Sequence, residues 1–527
     1  MNNFARLGSY LRFICRRERL ATPIWIACIA GFAALFASLY PGLLSTQAEI
    51  EQIAATMQNP AMVAMMGNVY GTESLTQASV MAQECLLWFM IAAAIMNIFL
   101  VNRHTRTDEE KGRLEMLRAL PVGKLTGSLA VIKFAFAVNI LISIATAALL
   151  LLLNIGGTTL AGALVYGFAI GAVGFVFAGI SLLGAQLFST ANGVNGFGFA
   201  LLGLFYVIRA VGDVSGSALT NISPFGLALK AEAFYSNSIY PLLILLAEGL
   251  ILSLIALAVC AARDHGSGVI PAKKGRAGAS VFLRSPFGLA CRLSRSSILG
   301  WGAGMLLLGA SYGSVCTQID SFVEGNEMVM KVLASNGTFS IMDNYVSMIL
   351  LISSIIAAIP VVLSAIKIHG EEKCGRLEQI LVRAVPGTKL YGGFLLVAVI
   401  ESFIMQLLFS AGLALASGGA LNLAEVIKAD LSYLPAIWVL MSFAVLLVGF
   451  LPKLTPLVWL ILGYSFIIMY LGRILDAPKW MENISPFGSI AQQPVQTFEP
   501  VPLVVLCLIA TVLTALGLWR FKSRDIG

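Results

Sequence analysis

Charge is scarce in this chain. Of 527 residues only 12% are Asp, Glu, Lys or Arg, against 58% hydrophobic, whereas a soluble domain carries about 25% charged residues. Histidine is scarcer still: His104, His265 and His369 have no metal-ligand spacing and complete no Ser/His/Asp constellation. No Gly-x-x-x-x-Gly-Lys-Ser/Thr phosphate loop occurs, and no polar stretch is long enough for a nucleotide-binding domain. These absences exclude a soluble enzyme, and they leave the chain without a catalytic site, a metal site or a nucleotide site of its own. Seven of the eight cysteines fall in predicted helices or on the predicted cytoplasmic side, with Cys316 near an outer surface, so no disulfide framework is expected.

What the chain has is apolar runs. A spanning helix needs roughly 20 mostly apolar residues. Runs bounded by charge or by Gly, Pro and Asn fall at 21–41, 76–101, 126–153, 160–186, 192–210 and 240–262, then at 296–316, 343–366, 390–416, 432–450, 455–472 and 500–519. The expected fold class is an all-α polytopic membrane protein of about twelve spans. The formal charge of +7 reads as topology rather than nucleic-acid binding, because 27 of the 34 Lys and Arg lie in the N-terminal segment, the loops 102–124 and 366–389, the linker 262–295, Lys453 and the tail. Those segments are expected in the cytoplasm, with both termini. Arg209, Lys230, Lys331, Lys428, Arg473 and Lys479 are left to outer loops. Residues 3–20 mix five arginines with Phe4, Leu7, Tyr10, Leu11, Phe13 and Ile14. That pattern predicts an amphipathic surface helix rather than a cleaved signal peptide, so the first span stays.

The chain repeats itself. Gly112-Arg113-Leu114-Glu115 returns as Gly375-Arg376-Leu377-Glu378, and Asn221-Ile222-Ser223-Pro224-Phe225-Gly226 as Asn483-Ile484-Ser485-Pro486-Phe487-Gly488, at separations of 263 and 262. One spacing kept by two unrelated motifs implies a duplication, with halves at 1–264 and 283–527 joined by a polar, Gly-rich cytoplasmic linker, 265–282. Six spans per half make the repeats parallel, as two bundles facing each other about a pseudo-two-fold axis. A second basic amphipathic stretch, 284–295, precedes the seventh span as 3–20 precedes the first.

The loop after the second span of each half carries paired charges of both signs on a short helix ending at Pro121 or Pro386. A topogenic loop needs only basic residues. An apolar ridge of Leu114, Leu117 and Ala119 flanked by ions is instead how a surface helix docks on a partner. The Glu-Glu-x-Gly-Arg-Leu-Glu pattern with its Pro, the surface helix and the doubled six-span layout resemble the fused permeases of tetronasin-type antibiotic exporters, in the type-2 ABC exporter group. The resemblance implies that Glu109, Glu110, Arg113 and Glu115, with Glu371, Glu372, Arg376 and Glu378, contact an ATP-binding subunit. It also implies that two copies of that subunit bind ATP and Mg while this chain holds no cofactor, and that the substrate is a hydrophobic or amphipathic compound moved outward. Lys373-Cys374 stands where the first copy has Glu110-Lys111, so docking of the two halves is expected to be unequal.

Glu84, Glu248 and Glu401 fall inside predicted spans, where a carboxylate costs a few kcal/mol or more unless it meets a cavity or partner. They are candidate path-lining residues; in a rival reading, a proton- or cation-coupled secondary transporter, they form the ion site. An integral-membrane enzyme acting on lipid-linked substrates would need a single acidic or His cluster at one face, whereas the charged clusters here are duplicated. Outer segments with helical apolar spacing follow the first span of each half, at Ile50, Ile53, Ala54, Met57, Met62, Met65 and Met66 and at Ile319, Phe322, Met328, Met330, Val332 and Leu333; an amphipathic cap over the exit fits them better than a soft-metal site. The repeated Asn-Ile-Ser-Pro-Phe-Gly reads as a structural turn before re-entry.

Overall fold

A computed structural model describes residues 3–44, 46–58, 60–119, 121–263, 268–270, 278–316, 340–382, 385–471 and 478–524. His265, Lys331, Arg473 and the second outer segment with Ile319, Phe322, Met328, Met330, Val332 and Leu333 lie outside the described residues. Every regular element among the described residues is helical. Among the described residues twelve helices are long and apolar enough to cross a membrane: Ala21–Gly42, Gln77–Glu110, Thr126–Leu153, Leu160–Leu187, Ala191–Ser215, Tyr240–Ala262, Pro286–Cys316, Met342–Lys373, Gly387–Ala416, Leu423–Phe450, Pro452–Tyr470 and Pro500–Ser523. Helices satisfy their own backbone groups, which hydrocarbon cannot. The chain forms two compact units, Met1–Gly275 and Arg276–Gly527, each with its own apolar core.

Local chemistry sets where spans begin. Thr76, Thr159, Thr190 and Ser340 each accept the amide hydrogen of the third residue on, capping the second, fourth, fifth and eighth spans. The surface helix Leu7–Arg17 is separated from the first span, because Pro23 cannot donate to the carbonyl four residues back and its ring crowds it. With Cys15 and Trp25 aligned on Cys291 and Trp301, the second half has Leu299 at that place. There the expected separate surface helix 284–295 is instead continuous with the seventh span over Pro286–Cys316.

Small residues let spans approach closely. A Cβ on Gly167 would lie 2.3 Å from the Ser143 carbonyl of the third span, and one on Gly174 would lie 2.2 Å from the Asn139 side chain. In the second unit a Cβ added to Gly309 or Gly313 would lie 2.2 or 2.3 Å from the carbonyl oxygen of Phe409 or Leu413. The turn motif is structural and occurs a third time, as Ser285-Pro286-Phe287-Gly288. Gly226, Gly288 and Gly488 all pack on the carbonyl six residues back, at 2.2, 1.8 and 2.1 Å for an added Cβ, and Phe225 and Phe487 are fully buried.

One topological expectation changes. Arg209 is not an outer-loop residue: the fifth span runs to Ser215, and the guanidinium is fully buried. It donates to the carbonyls of Val63 (3.2 Å) and Ala64 (2.7 Å) and to Asp213 (3.4 Å). The first outer segment is therefore tied down, as two helices, Gln47–Met57 and Pro60–Met66, with Ile50, Ala54 and Met57 buried in the first core.

Candidate functional site

The two charged loops form the same hairpin. The second span runs on through Arg106–Glu110, Gly112 turns the chain at φ +67°, and Arg113–Arg118 returns as a short helix. In the second unit the helix continues to Lys373, Gly375 turns at φ +67°, and Arg376–Leu381 returns. A left-handed φ strains any residue with a Cβ, which explains a glycine at both corners.

Acid and base side chains lace each corner in the same order. Arg113 reaches back across the turn to Asp108 at 3.1 Å, and Arg376 does so to Glu371 at 3.0 Å. One residue on, Glu109 accepts from Arg106 (2.8 Å) and from Arg263 (3.1 Å), just past the sixth span. Glu372 pairs with His369 (3.2 Å) and with Arg524, just past the twelfth. The first hairpin is also held by the surface helix: Arg17 donates to Asp108 at 3.0 Å, and Glu18 accepts from Arg103 at 3.0 Å and bonds His104 at 2.7 Å. Burial would raise the Glu18 pKa, but hydrogen bonds from His104 and Arg103 outweigh it and hold the carboxyl below its ordinary value. Arg17 is raised, chiefly by its bond to Asp108.

These pairings sort the eight residues singled out from sequence. Glu110, Arg113, Glu115, Arg376 and Glu378 are exposed; Glu109, Glu371 and Glu372 are turned partly inward. Of the expected apolar ridge only Ala119 is exposed, and Leu114 is half-buried. Leu117 packs on the first core and Leu377 is buried in the second, because a short helix at the end of a bundle lowers its apolar side onto the bundle. The outward surface is polar, with Met116 (74% exposed) and Val382 (86%) as its apolar points. Asp108, Arg263 and Arg524 were missed by motif reading; the signal available for the arginines was an Arg one residue past the apolar run 240–262 and another five residues past the run 500–519.

The intramembrane carboxylates lie apart from the hairpins. Glu84 is half-buried and accepts from the Tyr40 hydroxyl. Glu248 is half-buried on the sixth span. Glu401 is fully buried within the second unit, where Ser364 donates to it. Sequence reading missed Asp430, also fully buried, which takes a 2.7 Å bond from Ser410 and has the Gln406 amide between it and Ser354. A cavity at the opposite end of this unit from its hairpin is lined by Met342, Val346, Leu350, Val426 and Phe498, with Asp343, Glu425 and Lys428 also on its wall.

A family model described as multidrug efflux system permease Rv1217c, C-terminal domain, matches residues 7–261 and 283–522. The chain belongs to this family. It is 31% identical to the multidrug efflux system permease protein Rv1217c of Mycobacterium tuberculosis, over 98% of this chain and 94% of that protein. The match runs through both units and both hairpins, so the duplicated layout is that of an efflux permease subunit in a multi-pass membrane protein.

Proposed function

We propose that this permease is the membrane subunit of an ATP-binding-cassette exporter of the tetronasin-type group, and that each hairpin docks on a separate ATPase chain. The observation that carries this is the duplication of one braced, outward-facing polar hairpin in a chain with no phosphate loop. Bracing matters: a docking helix fixed by ion pairs transmits force, whereas a solvated loop absorbs it. One permease chain then takes two ATPase copies, which bind ATP and Mg, and the hairpin end with both termini faces the cytoplasm. The contact surface is Glu110, Lys111, Arg113, Glu115 and Met116 in the first hairpin, and Lys373, Arg376, Glu378 and Gln379 in the second, all exposed. Glu110 faces outward where the second hairpin has Lys373, so the two docks differ in charge.

The substrate is a hydrophobic or amphipathic compound, in keeping with the multidrug efflux name of the relative and with the mixed apolar and polar wall of the second-unit cavity. Glu84 serves the bundle in this reading, since it already receives the Tyr40 hydroxyl hydrogen bond.

The test is co-purification from detergent with the neighbouring-frame ATPase. Glu110→Lys and Glu378→Lys each weaken association several-fold, as rim charges do at interfaces, and the double change abolishes it together with ATPase stimulation. Unchanged association in the double variant contradicts the proposal.

A further inference from the structure

In each unit one hairpin carboxylate is shared between two basic side chains. The first, Arg106 or His369, belongs to the hairpin's own helix and lies three residues back. The second comes from far along the chain: Arg263, 154 residues from Glu109, and Arg524, 152 residues from Glu372. Both follow directly on the last span of their unit. The side chains of Arg263 and Glu109 are 7% and 11% exposed, and those of Arg524 and Glu372 are 14% and 18%. Exposed ion pairs are worth little, but a largely covered pair leaves an uncompensated charge when one partner is removed.

Arg106 already balances Glu109 in the first hairpin, and in the second His369 bonds Glu372 from the same helix, so each glutamate has a local partner before the distant arginine is counted. What the arginine adds is a connection. The sixth span packs on the fourth, where a Cβ on Gly249 would lie 2.6 Å from the Phe175 ring, and the twelfth packs on the tenth, where Gly449 and Gly517 meet with an added Cβ 2.4 Å from a carbonyl. A hairpin held to the last span is thereby joined to a second, largely buried span of its unit's bundle.

We propose that Arg263 and Arg524 are positioning residues that carry displacement of each hairpin into the last span of its unit, and that Glu109 and Glu372 serve this link rather than the ATPase surface. The inference rests on the docking reading of the hairpins, and its test separates the two. Arg263→Gln, Arg524→Gln and the exchanged pairs Glu109→Arg with Arg263→Glu and Glu372→Arg with Arg524→Glu are placed in lipid nanodiscs. Hydrogen exchange of residues 106–119 or 369–382 rises about tenfold in the single variant and returns to near wild type in the exchanged pair, as local opening predicts.

In cells with the co-purifying ATPase, the single variants keep association and ATP hydrolysis within about twofold but lose most efflux of ethidium, and exchange restores it; a tenfold loss corresponds to about 1.4 kcal/mol. Unchanged hydrogen exchange in the single variants overturns the link. So does parallel loss of hydrolysis and efflux that exchange does not restore. If no ATPase co-purifies with the wild-type chain, the docking reading falls, while hydrogen exchange still decides whether the arginines hold the hairpins.

Discussion

Gly112 and Gly375 have open space around them and the same left-handed φ. Alanine there costs backbone strain alone, about 1 kcal/mol each, and the expected result is a small drop in thermal midpoint with the chain still folded. Gly226 and Gly488 differ, because their added Cβ meets a backbone carbonyl at 2.2 and 2.1 Å. Alanine at either is expected to cost about 1–3 kcal/mol and to lower the yield of folded protein in detergent, read by size-exclusion chromatography. Glu18 gives a pH prediction. Its folded pKa lies below the ordinary carboxylate value, so its stabilising contribution is complete above about pH 4.5 and is lost as pH falls through the lower, folded value. Proteolysis of the surface helix should increase only below about pH 4.5, and Glu18→Gln should show the increase at neutral pH. At this scale the motif residues were legible but their directions were not: Glu109 and Glu110 are adjacent and chemically alike, yet one turns to Arg263 and the other to solvent.

At the scale of elements, the spans were read closely because length and apolarity alone decide them in a bilayer. The departures have local causes. The fifth and eighth spans start one and two residues early, directly after their Thr190 and Ser340 caps, and the second surface helix fused with its span where Leu299 replaces the proline of the first copy. The close approaches of Gly167 and Gly174 to the third span also admit a buried amide pair. Asn97 and Asn139 exchange hydrogen bonds of 3.0 and 2.9 Å, which no apolar pattern announces. Asn139→Leu leaves the Asn97 amide without its partner and overfills the Gly174 notch. The expected cost is about 2–4 kcal/mol, measurable as a shift of several degrees in the unfolding midpoint of the detergent-solubilised protein.

Across the whole molecule the duplication is the informative feature. Two glycine corners, two acid-to-arginine bridges and two glutamate clusters recur at nearly one spacing, and the copies differ where chemistry has room to differ: His369 for Arg106, Lys373 for Glu110, and, among the described residues, no counterpart in the second copy to the Glu18 clamp. The repeat itself was visible in the sequence, since short motifs at a fixed offset survive divergence. The long-range partners were not, because an arginine at a span end looks the same whether it faces lipid headgroups or a hairpin 154 residues away. The central claim, that one permease chain presents two docking hairpins to separate ATPase chains, is tested most directly by native mass spectrometry of the complex purified on a tagged permease. The account predicts one permease with two ATPase chains, falling to one when Glu110→Lys and Glu115→Lys disable the first hairpin. A permease that travels alone, or that keeps two ATPase chains with its first hairpin reversed, would contradict it.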